Sequence, residues 1–192
     1  MKILTGILLS ILFLVLSTRL TWAITNPLST PNNKFGIHII NEGNLEEAAA
    51  LVNKGGSWGY VTIVITEAER NTERWQEVFN KMRRLKLIPI VRLATKVEKG
   101  IWEKPREVEI TEWVEFLNSL NWVTRNRYIV LFNEPNHAKE WGGEVKPDEY
   151  TKIARIYRDK LKAASEDFFI LPAGLDAAAP DSISTMEISN FL

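Results

Sequence analysis

Residues 129–137 read Ile-Val-Leu-Phe-Asn-Glu-Pro-Asn-His, an apolar run that stops at a carboxylate set between an amide and a proline. The apolar residues suit a buried strand. Pro135 has no N–H to give a ladder and biases Glu134 toward an extended conformation, so the regular ladder stops here. A carboxyl group at the end of a buried strand stands at the edge of water, where a proton can be given and taken back. Asn133 beside it carries an amide that both donates and accepts hydrogen bonds. The plainest alternative is that Asn-Glu-Pro only ends a strand and opens a turn. The surrounding pattern weighs against that.

Other side chains are placed to assist. His38 lies near the end of an early apolar run and could bind a hydroxyl, or be a buried structural histidine. Arg92, in Val91-Arg92-Leu93-Ala94, could orient a carboxylate such as Glu134, or serve as an ordinary buried ion-pair partner. His137 and Trp141 follow Glu134 in the same loop. An indole can stack on a sugar face or pack the loop down, and packing is the favoured reading. Glu140 and Glu144 read as solvated. The two histidines are far apart and cysteine is absent, so no metal-ligand spacing exists and no cofactor is implied.

Strand and helix signals alternate from Lys34 onward. Strands are expected over 35–40, 60–65, 87–93, 127–132 and 168–174. The first helix starts at Asn44, with Glu47 completing a capping box, and runs to about Asn53 before Gly55-Gly56. Trp75, Val78, Phe79, Met82 and Leu85 repeat at helical spacing over 72–85. Ile110, Trp113, Phe116, Leu117 and Leu120 form the next apolar face. Pro147, Asp148 and Glu149 open a helix whose inner face is Tyr150, Ile153, Ala154, Tyr157 and Leu161. Trp75, Trp113 and Tyr157 are therefore core. Residues 95–107 and 134–146 are long loops, and a short helix-like tail ends at Leu192. The βαβαβαβαβ order predicts a parallel sheet with covering helices. No glycine-rich phosphate fingerprint follows the first strand, which favours a barrel over an open nucleotide-binding sheet. Polar and aromatic residues also gather just after strand ends, where barrel enzymes keep their sites.

Phe132-Asn133-Glu134-Pro135-Asn136 resembles the motif that ends the fourth strand of clan-A glycoside hydrolases, the (β/α)8-barrel superfamily of cellulases, mannanases, β-glucosidases and β-xylosidases. The resemblance spans about residues 34–180, with one sharp motif at 132–136; the rest is order and spacing. It implies that Glu134 is the general acid/base and Asn133 a ligand for a sugar hydroxyl. It also implies a retaining mechanism, in which a second glutamate at the end of a seventh strand attacks the sugar. No counterpart of that glutamate is found here, and Glu187 comes too early. The chain reads as the N-terminal part of such a barrel, about five of eight βα units, since a whole barrel takes about 250 residues. Alone, it is expected to be poorly stable and inactive, with a hydrophobic edge at Phe168-Phe169-Ile170-Leu171.

The first 23 residues differ from the rest. Lys2 precedes an apolar stretch from Ile3 to Leu16, and Thr21-Trp22-Ala23 offers a small-residue cleavage site, the form of a secretory signal peptide. An uncleaved anchor is the alternative. Residues 24–33 read as a linker. These features point to a secreted or cell-envelope protein, with no membrane contact after cleavage. The formal net charge is zero over 192 residues and no basic block stands out, so nucleic acid is not an expected partner. The expected partner is a carbohydrate: a β-linked poly- or oligosaccharide cleaved at its O-glycosidic bonds. The alternative is a non-catalytic carbohydrate-binding protein on the same scaffold.

Overall fold

The computed structural model of the protein describes residues 32–54 and 57–192. The signal peptide, most of the linker and the Gly55-Gly56 stop lie outside those residues. The strands are β1 (Asn32–His38), β2 (Trp58–Thr66), β3 (Leu87–Ala94), β4 (Val97–Glu98), β5 (Ile101–Trp102), β6 (Arg127–Leu131) and β7 (Phe168–Pro172). The helices are α1 (Leu45–Val52), α2 (Thr72–Arg84), α3 (Ile110–Ser119), α4 (Pro147–Ala164) and the short α5 (Ile188–Phe191). Asn32 already pairs with Trp58, so the last two residues of the expected linker belong to β1.

Five strands form one sheet in the order β1-β2-β3-β6-β7, and every pair is parallel. This is an α/β fold. Strand order follows chain order without reversal, so each crossover steps the same way. Crossovers of one hand then place their helices on one face, whereas a doubly wound sheet needs a reversal. Burial agrees. On β2, Val61, Ile63 and Ile65 are buried while Tyr60, Thr62, Val64 and Thr66 are half-exposed. Register carries this alternation across to β3 and β6. Val91 and Ile129 fall on the covered face, and Arg92 and Val130 on the other.

The covered face is built by helical periodicity. Trp75, Phe79 and Met82 bury one stripe of α2, and Asn71 caps the helix by accepting from the Arg74 N–H at 2.8 Å. Trp113, Phe116 and Leu117 do the same for α3, and Tyr150, Ile153, Tyr157 and Leu161 for α4. Trp122, which precedes β6, joins these layers. Its ring stands edge-on to Phe79 at 5.1 Å and to Phe168 at 6.1 Å, and its indole N–H donates to the Leu117 carbonyl at 2.8 Å.

Two local expectations are corrected. Asn41, not Asn44, supplies the cap before α1, accepting from the Gly43 N–H at 2.7 Å. Asn44 instead donates its amide to Glu47 at 3.3 Å. A three-residue 3-10 turn, Glu42–Asn44, intervenes and moves the cap upstream. The loop after β3 also holds the β4–β5 ribbon, turned at Lys99 and Gly100 with φ of 52° and 81°.

Phe79 is fully buried. Phe79→Ala should lower unfolding free energy by about 3–5 kcal/mol, read from urea denaturation; a loss under about 1 kcal/mol would remove this contact from the core.

Candidate functional site

All five strands run the same way, so their carboxyl ends gather at one end of the sheet. The end of β6 turns sharply there. Phe132 has φ 72° and Glu134 φ 32°, left-handed values that non-glycine residues seldom adopt. Each costs about 1–3 kcal/mol and persists only where its surroundings enforce it. The enforcement is visible. Phe132 is buried edge-on between Trp141 at 6.0 Å and Tyr157 at 5.3 Å. The Glu134 N–H donates to the Gly174 carbonyl, beyond β7, at 3.1 Å. The Tyr150 hydroxyl ties the same strand ends together, donating to the Leu131 carbonyl at 3.5 Å and accepting from the Ala173 N–H at 2.6 Å.

Asn136 completes the clamp. It is fully buried, and its amide donates to the carbonyls of Asp176 at 3.0 Å and Met186 at 3.1 Å. Its side-chain oxygen accepts from the Asp176 N–H at 3.1 Å. The last residue of the five-residue motif thus ties the loop to two distant segments. Asp176 and Met186 carried no signal of this in the sequence, because their contribution is mostly backbone.

The side chains of the site meet at Asn133. Its oxygen accepts from the Arg92 guanidinium. Its nitrogen lies 3.5 Å from Glu134 Oε2 and 3.2 Å from Glu140 Oε2. Burial works against the Arg92 charge, while the carboxylates of Glu140 and Glu134 support it. His38, exposed at the end of β1, is held below the ordinary histidine range by partial burial and then by the charge of Arg92. The sequence candidates Glu134, Asn133, Arg92 and His38 therefore share one face and one end of the sheet.

The other two point elsewhere. His137 Nε2 sits 2.9 Å from Asp176 Oδ2, and its backbone bridges to Thr185. The N–H of Ala178, then His137, holds the Asp176 carboxyl below the usual range. Trp141 is 1% exposed, which overturns its role as a sugar platform. It packs against Phe132 and Tyr150 and donates to Glu149 at 3.3 Å. The chain passes it with Gly142 at φ 66°, where any Cβ would come within 2.7 Å of the Lys104 side chain. Glu140 is also corrected: its side chain is 11% exposed, not solvated. Glu144 is exposed and pairs with Lys104 at 3.2 Å.

Asn133 borders a partly open pocket of about 20 Å³, lined also by Arg92, Thr95, Trp102, Phe132 and Glu140. It has room for about one water molecule. Among the described residues, no three His, Asp or Glu side chains are grouped to hold a metal ion, and no helix is long and apolar enough to cross a membrane.

A second carboxyl pair, unforeseen in the sequence, joins Glu67, just past β2, to Glu109, just before α3. Burial, then the hydrogen bond and charge of Glu109, push the Glu67 carboxyl up to about 7. Glu109 is held low by Glu67 and Arg106 against its own burial. A proton on Glu67 relieves the like-charge contact, so the pair favours one neutral and one ionised carboxyl.

No protein-family model matches the chain, and no curated protein matches it.

Two outcomes follow. Asn136→Ala deletes three buried hydrogen bonds and should cost about 2–4 kcal/mol in denaturant unfolding; a neutral result would contradict the clamp. Glu67 binds its proton more tightly when folded than when unfolded. Its contribution to stability therefore falls as pH rises from about 4.5 to about 7. Plotted against pH, the urea midpoint of the wild type should decline relative to Glu67→Gln across that window. Parallel curves would contradict the raised Glu67 carboxyl.

Proposed function

We propose that this one-sided sheet is part of the wall of a (β/α)8 barrel and that the site at its carboxyl end acts on carbohydrate. Glu134 is the proton donor in retaining hydrolysis of an O-glycosidic bond in a β-linked poly- or oligosaccharide. The observation that carries the reading is the left-handed backbone on both sides of Asn133. Two residues pay a conformational cost, and what it accomplishes is to hold an amide and a carboxyl side by side at the strand end. The similarity of residues 132–136 to the clan-A strand motif supports the same roles.

In the first step the protonated Glu134 donates to the glycosidic oxygen as the bond to the anomeric carbon breaks. A donor must hold its proton until then. Retaining hydrolysis also needs a nucleophilic carboxylate about 5–5.5 Å away to take the anomeric carbon, a group with no counterpart among the residues of this chain; once it has acted, Glu134, now ionised, deprotonates the water that releases the sugar. Asn133 hydrogen-bonds a ring hydroxyl, and that bond strengthens as charge develops. Arg92 offsets the negative charge of the site.

Glu140, the second carboxyl in contact with Asn133, is too enclosed to reach an anomeric carbon. That favours a second reading for these residues: a carbohydrate-binding surface without hydrolysis.

Glu134→Gln separates the two. Under the hydrolytic reading, and in a version of the protein that includes a nucleophilic glutamate, turnover of aryl β-glycosides with poor leaving groups should fall about 10²–10⁴-fold. Substrates with good leaving groups should lose less in the first step. Equal losses would contradict the acid role. Binding of β-linked oligosaccharides without cleavage, in a version that includes a nucleophilic glutamate, would establish the second reading.

A further inference from the structure

Glu140 follows Lys139 in a loop seven residues beyond Asn133, a setting that suits a solvated carboxylate. Its side chain is instead nearly enclosed. An ionised carboxylate taken from water needs hydrogen bonds or opposite charge. It has Asn133 Nδ2 at 3.2 Å and Lys139 at 3.9 Å. It is also the first of two carboxylates whose charge favours the Arg92 guanidinium, ahead of Glu134. Arg92 is itself largely enclosed, with its Nε buried and unpaired, and it donates to the Asn133 oxygen. The Asn133 amide is thus held at both ends.

An asparagine side chain is nearly symmetric in shape, and turning it over exchanges oxygen for nitrogen. Here the exchange would set the amide N–H groups against a guanidinium, which has only donors. It would also set the amide oxygen against two carboxylates, which when ionised have only acceptors. Glu134 cannot enforce this orientation by itself. It lies at the limit of hydrogen-bond reach, 3.5 Å from Nδ2, and a proton donor is neutral for part of its cycle.

We infer that Glu140 is a positioning residue: a buried carboxylate that, opposite Arg92, locks the Asn133 amide so that one N–H is engaged and the other faces Glu134 and a bound saccharide hydroxyl. Only the saccharide clause rests on the carbohydrate reading above. The lock does not depend on it.

The test uses the wild type, Glu140→Gln, Glu140→Ala, Asn133→Ala and the double variant Asn133→Ala/Glu140→Ala. In the free protein, a locked Asn133 amide has side-chain protons that exchange slowly with water by NMR. Glu140→Ala should speed that exchange at least about tenfold. Glu140→Gln, which keeps the shape and one acceptor, should retain part of the protection, and it serves where the alanine variant fails to fold. Unchanged exchange in both overturns the lock. On an aryl β-glycoside, Glu140→Ala should lower kcat/KM about 10- to 100-fold, the scale of one unsatisfied buried group. The same change made on Asn133→Ala should add little. Full additivity would mean that Glu140 acts without Asn133, overturning the inference. If the wild type cleaves nothing, the same cycle is read as Kd for cellotetraose or xylotetraose. Absence of both cleavage and binding removes the carbohydrate reading and the saccharide clause, and the amide exchange then decides the lock alone.

Discussion

The chain must leave a buried strand and present a carboxyl to water within three residues, and the rest of the site follows from how it does so. Leu131 is buried in the sheet, Phe132 is buried in the helical layer, and Glu134 stands at the edge. Two left-handed residues make the turn. Their strain is offset by the aromatic packing of Phe132, by the Glu134–Gly174 backbone bond and by the fully satisfied amide of Asn136. Remove those supports and the backbone relaxes toward ordinary dihedrals, carrying Asn133 and Glu134 away from Arg92.

The sheet supplies the frame for that turn. Its strands progress in one direction, so one face is sealed by α1 to α4 and the other carries alternating polar and aromatic side chains. On the uncovered face Tyr60 stands edge-on to Tyr128, with centroids 6.0 Å apart, and Tyr128 lies tilted against Phe169 at 5.4 Å. Arg92 rises from that same face and reaches Asn133. One register, fixed by period-two burial, thus decides both which residues build the core and which charged group stands under the site.

The elements were legible in the sequence because their signals are local. Helical spacing of Trp75, Phe79 and Met82 gave α2 to within one residue, and the β-branched run at 60–65 gave the centre of β2, which extends to Trp58 and Thr66. The placement of Asn133, Glu134 and Arg92 at strand ends was legible for the same reason. The β4–β5 ribbon was not, since two-residue strands carry no periodicity. The burial of Glu140 and Trp141 was also hidden. It depends on the path of a loop pinned by the Gly142 N–H to the Trp102 carbonyl at 2.8 Å, a long-range contact without a composition signal. Asn136 was visible only as part of a motif, while its partners Asp176 and Met186 lie 40 and 50 residues away.

The most direct measurement is NMR shift mapping of the protein titrated with a β-linked oligosaccharide. The account predicts that perturbed signals centre on Asn133 and Glu134 and extend to His38 and Arg92 at the carboxyl end of the uncovered face. Perturbations confined to the helix-covered side, or to the amino ends of the strands around Trp58 and Leu87, would contradict it.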